Sequence, residues 1–354
     1  MKNVEKYLSL LGQEVDGLLL TSRYSRHYLA EFDIAEGVAI VTKSGIRYFT
    51  DSRYIESAQN NIGGMEVLEM NSRNSYHKLL NDAIAQFDVQ RLGFEEGYLT
   101  VAEYQDYQKN ISAELVPLGS KINAFRAVKE DWELERIRQA QKITDKAFSE
   151  VLTRIKPGMT EKQLQAELIY CLYKNGGEGL SFNPIVVSGP NTSLPHGVAT
   201  DRVIQEGDFV TMDFGVLYGG YCSDMTRTVA VGYATEEMKK VYDTVLQAQL
   251  AGIAATKAGV MGKEIDNAAR QVIAEAGYGD YFGHGYGHSL GMEVHEAPNC
   301  NPRGETPMEV NMITSAEPGI YLPGKFGVRI EDLIIFTADG YENITQSPKN
   351  LIIL

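Results

Sequence analysis

The sequence predicts two domains of mixed architecture: a smaller α/β domain over residues 1–125, then an α+β domain with an internal pseudo-twofold repeat over residues 126–354. Three observations carry this expectation. Strand-like and helix-like stretches alternate from residue 1 to about residue 120. The character changes near Ile122–Lys129, where a long amphipathic helical pattern takes over. Beyond that point, helix ends and glycines recur at an offset of about 101 residues. A chain of 354 residues is long enough to build both cores.

In the first domain, Asp16–Thr21 (DGLLLT), Gly37–Thr42 (GVAIVT) and Ile46–Thr50 (IRYFT) read as strands, with Lys43-Ser44-Gly45 turning a hairpin. Asp51–Asn61 and Ser75–Phe87 read as helices and Arg91–Phe94 as a short strand. No residues here have metal-ligand or nucleophile spacing, so His27 and His77 are read as surface or packing histidines. The second domain opens with a helical segment, Asp131–Ile155, whose buried stripe is Ile137, Ala140, Ile143, Ala147, Val151 and Ile155. Pro157-Gly158 stops it. Thr160 with Gln163 forms a capping box for a helix running to Asn175-Gly176-Gly177. Lys156-Pro157-Gly158 is answered by Lys257-Ala258-Gly259, and Gly176-Gly177 by Gly277. That is the repeat.

Composition narrows the function classes. Hydrophobic content of 44% and charged content of 23% are those of a soluble globular protein. A formal charge of −14 argues against nucleic acid or an anionic membrane as partner. The N-terminal residues have only short apolar runs broken by Glu14 and Asp16, unlike a signal peptide. The uncharged run Gly179–Thr200 holds Pro184, Pro190 and Pro195 and cannot span a bilayer as a helix. Cys171, Cys222 and Cys300 are odd in number and widely spaced, which fits reduced thiols in a cytoplasm.

The chemistry concentrates in three places. Phe209–Thr228 (FVTMDFGVLYGGYCSDMTRT) reads as a hairpin. With Tyr218-Gly219 as its two-residue loop, Asp213 and Asp224 face each other directly, about 5 Å apart at Cβ. Such a pair repels unless a cation lies between the carboxylates. A longer loop or a bulge would spoil that register, leaving two aspartates on an exposed hairpin. Phe282–Glu296 (FGHGYGHSLGMEVHE) holds His284, His288 and His295, three of the chain's six histidines. Its glycines make a poor helix and predict an extended or looped backbone packed close to a ligand. Glu317 (ITSAEPGIY) and Glu331 (GVRIEDLIIF) lie in apolar strand-like runs where an unpaired carboxylate is costly. Arg329 could serve Glu331 as a simple ion pair; otherwise both glutamates call for a metal. Asp213, Asp224, His288, Glu317 and Glu331 form a set with no soft donor, favouring Mn²⁺ or a similar hard dication over structural zinc. Five ligands suit two ions bridged by carboxylates and a water better than one.

With these residues in view, the chain resembles the creatinase/prolidase/methionine aminopeptidase ("pita-bread") family, specifically its Xaa-Pro peptidases. The motifs are TDSRYIE (Thr50–Glu56), SGPNTSLPHG (Ser188–Gly197), MDFG with GYCSDMTRT, GHGYGHSLGMEVHE, AEPGIY (Ala316–Tyr321) and GVRIED, in the family's order. The resemblance implies a pita-bread catalytic domain preceded by a creatinase-type N-terminal domain. It implies that Asp213 and Asp224 hold one metal, that Asp224 and Glu331 bridge two, and that His288 and Glu317 complete the second. It places His196, His284 and His295 among substrate-handling histidines and Arg329 beside the bridging glutamate. The ions implied are two divalent cations, Mn²⁺ foremost, with Co²⁺ or Zn²⁺ as alternatives.

The activity implied is hydrolysis of the Xaa-Pro bond at the N-terminus of peptides or dipeptides through attack of a metal-bridging hydroxide. Glu317 would shuttle the proton, His295 would stabilise the oxyanion, and His196 or His284 would assist the leaving proline nitrogen. Small peptides with proline second are the expected partners. A homodimer is implied as well, its N-terminal domain helping to enclose the other subunit's site. Methionine aminopeptidase-like, creatinase-like and non-catalytic binding roles are the alternatives. The first usually lacks the extra domain, and the latter two do not need the full ligand set. Ser25, Ala30 and Glu31 stand where relatives usually carry Asn, Thr and Gly, and Asn311 where a Gly is usual.

Overall fold

Each of two units, Met1–Phe125 and Arg126–Leu354, builds its own sheet and core. The structure is a computed structural model and describes residues 3–12 and 14–354. In the first unit six strands lie in the spatial order Glu66–Met70, Ile46–Asp51, Val38–Thr42, Gly17–Leu20, Arg91–Phe94, Glu114–Pro117. Val38–Thr42 pairs antiparallel with Ile46–Asp51, through the hairpin that turns at Thr42–Gly45, and with Gly17–Leu20; the outer strands join in parallel. Gly17–Leu20 and Val38–Thr42 are buried along their whole length, which explains their continuous apolar runs.

The strand at Ile46 runs on through Asp51, and the helix predicted from Asp51 begins only at Ile55. Asp51 is used instead to accept the Arg53 backbone N–H at 2.9 Å, an Asx turn that separates strand from helix. His77 lies 2.8 Å from Asp106 and edge-on to Tyr107, a packing role. Glu31 caps the Arg23–Ala30 helix at φ 54, a left-handed position that explains why glycine is the usual residue there.

The second unit shows the repeat as a pair of helix–helix–sheet halves. Helices Asp131–Leu152 and Glu161–Lys174 cover one sheet, and helices Glu236–Ala255 and Gly262–Glu275 cover the other. The first helix ends at Leu152, three residues before the predicted limit, though Ile155 is still buried. Thr160 and Gln163 make the expected capping box, at 3.2 and 2.8 Å. Gly158 and Gly259 take φ +94 and +88, and Gly176 and Gly277 take φ +104 and +86, so corresponding glycines release the chain the same way. Gly158 N–H donates to Ile204 and Gly259 N–H to Met308, and Ile204 and Met308 in turn donate to Met159 and Val260.

The first sheet is Met225–Ala230, Phe209–Phe214, Ile185–Ser188. The second is Glu296–Cys300, Gly287–Ser289, Ile313–Ala316, Asp332–Phe336, Tyr341–Asn343. Two apolar clusters back them: Ile143, Phe148, Leu168, Met212 and Met225 in one half, and Ile253, Ile265, Ile320 and Ile334 in the other. Among the described residues no helix is long and apolar enough to cross a membrane.

Candidate active site

The hairpin differs from expectation by one residue at its turn. Tyr218 pairs with Tyr221 and Asp213 with Thr226, so the loop is Gly219-Gly220 rather than Tyr218-Gly219. Its two glycines sit at φ +55 and +80, as a type I′ turn requires, and a tyrosine in the first position would be strained. Asp224 therefore lies two residues before Asp213's partner, on the same sheet face and diagonal to Asp213. The ladder breaks at Gly215 and at Ser223-Asp224, which turns this end of the hairpin into a rim.

The histidine segment is not helical beyond one 3-10 turn at Gly279–Tyr281, and His288 lies in the strand Gly287–Ser289. A Cβ on Gly287 would fall 2.0 Å from the Ser315 carbonyl oxygen, so only glycine lets this strand approach its neighbour. The His288 backbone N–H donates to Ser315 Oγ at 3.0 Å, and Ser315 Oγ donates to Glu317 Oε1 at 3.1 Å. His288 Nδ1 donates to its neighbour's carbonyl, Ser289 O, at 3.2 Å. Nε2 is thereby left as a lone-pair donor, 3.2 Å from Glu317 Oε1 and 3.7 Å from Asp224 Oδ2.

Glu317 follows the strand Ile313–Ala316, and Glu331 lies in the break between Phe326–Arg329 and Asp332–Phe336. Both carboxylates thus occupy interruptions rather than strand interiors. Arg329 does not pair with Glu331. Its Nη2 donates to Asp213 Oδ2 at 2.5 Å, its Nη1 to Tyr321 Oη at 2.8 Å and to Pro195 O at 3.3 Å, and its Nε to Thr226 Oγ1 at 3.1 Å. The strand break after Arg329 aims the two side chains at different partners, and Glu331 Oε2 accepts from Thr226 Oγ1 at 2.7 Å.

Ligand atoms of Asp224, His288 and Glu331 lie within 4.8 Å of one another. Asp213 Oδ1, Asp224 Oδ1 and Glu331 Oε1 are buried with no hydrogen-bond partner. Burial pushes the Asp224 and Glu331 carboxyls well above their usual range, and the surrounding carboxylates push them further. Glu317 is raised too, first by burial. Acceptor-only oxygens that repel one another and lack donors fit divalent cations, which supply the missing charge and the missing partners together.

Burial also lowers His284, His288 and His295, favouring neutral imidazoles. Arg329 stays firmly charged: burial opposes its charge, but Tyr321, Asp213 and Glu317 outweigh that.

The structure brings His196, Asp213, Asp224, His284, His288, His295, Glu317, Arg329 and Glu331 around one cavity of about 620 Å³. His295 stacks edge-on against His288, with ring centroids 4.4 Å apart. His284 accepts at Nε2 from Tyr321 Oη at 2.9 Å and donates from Nδ1 to Gly285 O at 2.8 Å. A chain of hydrogen bonds therefore runs from Asp213 through Arg329 and Tyr321 to His284. Beside His295, the buried Glu296 carboxylate takes Arg126 Nε at 3.1 Å and Lys129 Nζ at 3.0 Å. It also accepts the Met292 and Glu293 backbone N–H groups, which fixes the loop leading to His295. Sequence reading missed Thr226, Tyr321 and Ser315. Two signals were available: Thr226 shares a strand face with Asp224 by period two, and Tyr321 follows Glu317 within the same motif.

The profile of Metallopeptidase family M24 matches residues 135–338, and that of the Creatinase/Prolidase N-terminal domain matches residues 5–128. The chain is 33% identical to a protein named Xaa-Pro dipeptidase from Pyrococcus horikoshii, across 99% of both chains. It superposes on a structure titled Xaa-Pro dipeptidase from Bacillus anthracis with a TM-score of 0.96 and 42% identity, covering 100% of this chain and 99% of that one. A second structure, titled X-Pro aminopeptidase from Thermotoga maritima MSB8, aligns with a TM-score of 0.93 and 34% identity, covering 99% and 100%. Profile, sequence and structure agree that the chain belongs to metallopeptidase family M24, with a creatinase/prolidase N-terminal domain ahead of the peptidase domain.

Proposed function

We propose that the protein is a dinuclear-metal exopeptidase that removes the first residue of small peptides whose second residue is proline. The observation that carries this reading is the convergence of three unpartnered carboxylate oxygens with His288 Nε2 in one cavity. Asp213, Asp224, His288, Glu317 and Glu331 would hold two divalent cations, and their hard donor set favours Mn²⁺. When bound, such ions would acidify a water and polarise the scissile carbonyl.

The remaining work falls to the chain's own groups. Glu317, hydrogen-bonded by Ser315 Oγ at the cavity, takes the proton from the attacking water and passes it on. His295, exposed to the cavity beside His288, hydrogen-bonds the oxyanion as it develops. His196 protonates the leaving proline nitrogen, which bears no hydrogen as an amide and must gain one to depart. His284, held neutral and oriented by Tyr321, lines the ring's pocket, and Arg329 fixes Asp213 for coordination. The reading includes a homodimer, as the motif resemblance leads one to expect, and a cytoplasmic location, consistent with three free, buried cysteines.

Product analysis with added Mn²⁺ tests it. Ala-Pro and Ala-Pro-Ala-Ala should each release alanine, while acetyl-Ala-Pro and Ala-Ala should be nearly inert. Preferred cleavage of Met-Ala-Ala, or efficient cutting within a blocked peptide, would overturn it.

A further inference from the structure

We propose that Glu161 is a positioning residue for His196, fixing both ends of the loop that carries this histidine over the cavity; the catalytic consequence rests on the role given to His196 above. Glu161 opens the Glu161–Lys174 helix and is fully buried. Its Oε1 accepts from Ser188 N at 2.7 Å, Ser188 Oγ at 2.8 Å and Asn191 Nδ2 at 3.0 Å. Its Oε2 accepts from Thr200 N at 2.9 Å, Thr200 Oγ1 at 2.7 Å and Asn191 Nδ2 at 3.3 Å. One carboxylate therefore holds the chain where it leaves the Ile185–Ser188 strand and again where it returns at Thr200.

Between those points the backbone makes the 3-10 turn Gly189–Ser193 and then a turn closed by Gly197 N–H to Leu194 O at 3.0 Å, which presents Pro195 and His196. The loop tip is not held by burial: Leu194 and Val198, flanking His196, are 55% and 71% exposed. The further polar ties are Gly327 N–H to Thr192 Oγ1 at 2.8 Å and Arg329 Nη1 to Pro195 O at 3.3 Å. Arg202 reaches Ser188 Oγ and Asp208 rather than the carboxylate. All the groups facing Glu161 are donors, and an ionised carboxylate is an acceptor at every lone pair. This is why a glutamate, and not its amide, suits the position. Burial would raise the carboxyl, but the Thr200, Ser188 and Asn191 hydrogen bonds hold it below its usual value.

Glu161→Gln keeps the volume but turns one oxygen into an NH₂ facing donors, so one end of the loop loses its grip. A misplacement of about 1 Å at a reacting group can cost about 10²-fold. The expected result is a fall in kcat of about tenfold or more, with KM and metal content nearly unchanged. In a His196→Ala background the same substitution should change kcat by less than about twofold, because the group it positions is gone. Amide hydrogen exchange should quicken over residues 189–199 and stay unchanged in the Phe209–Phe214 and Met225–Ala230 strands.

Equal factors in the two backgrounds would mean a general structural effect and would overturn the proposal. So would unchanged exchange over 189–199, whatever the activity. If His196→Ala alone keeps full turnover, the role of His196 is wrong and the catalytic consequence falls with it, while exchange still decides the clamp. Thr200→Val removes a single donor from the cluster and gives the same pattern in smaller measure, should Glu161→Gln fail to fold.

Discussion

Thr226→Val is the cleanest probe of how the proposed metal ligands are held. Thr226 is fully buried, donates through Oγ1 to Glu331 Oε2 at 2.7 Å, and accepts from Arg329 Nε at 3.1 Å. Valine is close to threonine in volume and shares its preference for a strand, so the change is chiefly the loss of a hydroxyl that two buried groups use. Two things change. Glu331 loses the donor that fixes its free rotation, and Arg329 loses one of its partners while keeping Asp213 and Tyr321.

Loss of a group orienting a metal ligand typically costs 10–100-fold in affinity, about 1.4–2.8 kcal/mol. The expected outcome is a weakening of Mn²⁺ binding in that range, read by calorimetric titration of chelator-treated protein. Turnover at saturating metal should recover to within about tenfold of wild type, because no reacting group is removed. Mn²⁺ affinity unchanged by the substitution would refute the claim that Glu331 is a ligand held by Thr226.

The other predictions share the same geometry. Asp224→Asn should abolish turnover with the fold intact, and the metal-free variant should melt no lower than metal-free wild type, because one charge leaves a self-repelling buried set; calorimetry with and without chelator checks both parts. His196→Ala should lower kcat by about 10²-fold without loss of bound metal; a drop in metal content would make it a ligand instead. Glu296 gives a pH dependence: burial would raise its carboxyl, but Lys129 and Arg126 hold it below the usual 4.5. The stability it contributes is therefore present above pH 4.5 and lost as the pH falls through the lower folded value. Glu296→Gln should flatten that acid-side decline and cost about 3–5 kcal/mol at neutral pH by leaving Lys129 and Arg126 underpaired. Denaturation curves for variant and wild type that stay parallel from pH 3 to 6 would contradict it.

Much of the site could be read before the structure because its residues break local rules. Glycines that ruin a helix around His284 and His288, and glutamates set in apolar runs at 317 and 331, stand out against any ordinary core. The hairpin was harder. The carboxylate pairing rested on which two residues made the loop, and Gly219-Gly220 wins over Tyr218-Gly219 only through its two positive φ angles. Arg329 and Glu331 are neighbours in an apparent strand, yet the break at Ile330-Glu331 sends them apart, a detail that alternation alone does not reveal.

Thr226, Tyr321 and Glu161 act through hydrogen bonds and belong to residue types common everywhere, so nothing in composition marks them. The two departures from glycine find a shared explanation. Glu31 and Asn311 both sit at left-handed φ, 54 and 68, where glycine is favoured and asparagine is the next most tolerant. Neither alters a proposed ligand.

The most direct test of two cooperating ions is a stepwise titration of metal-free protein with Mn²⁺, in which bound metal per chain and Ala-Pro hydrolysis are measured on the same samples. Turnover should stay near zero in the metal-free protein and reach its maximum only as the second ion per chain is bound. Full turnover with no metal, or a maximum at one ion per chain with no further binding, would contradict the account.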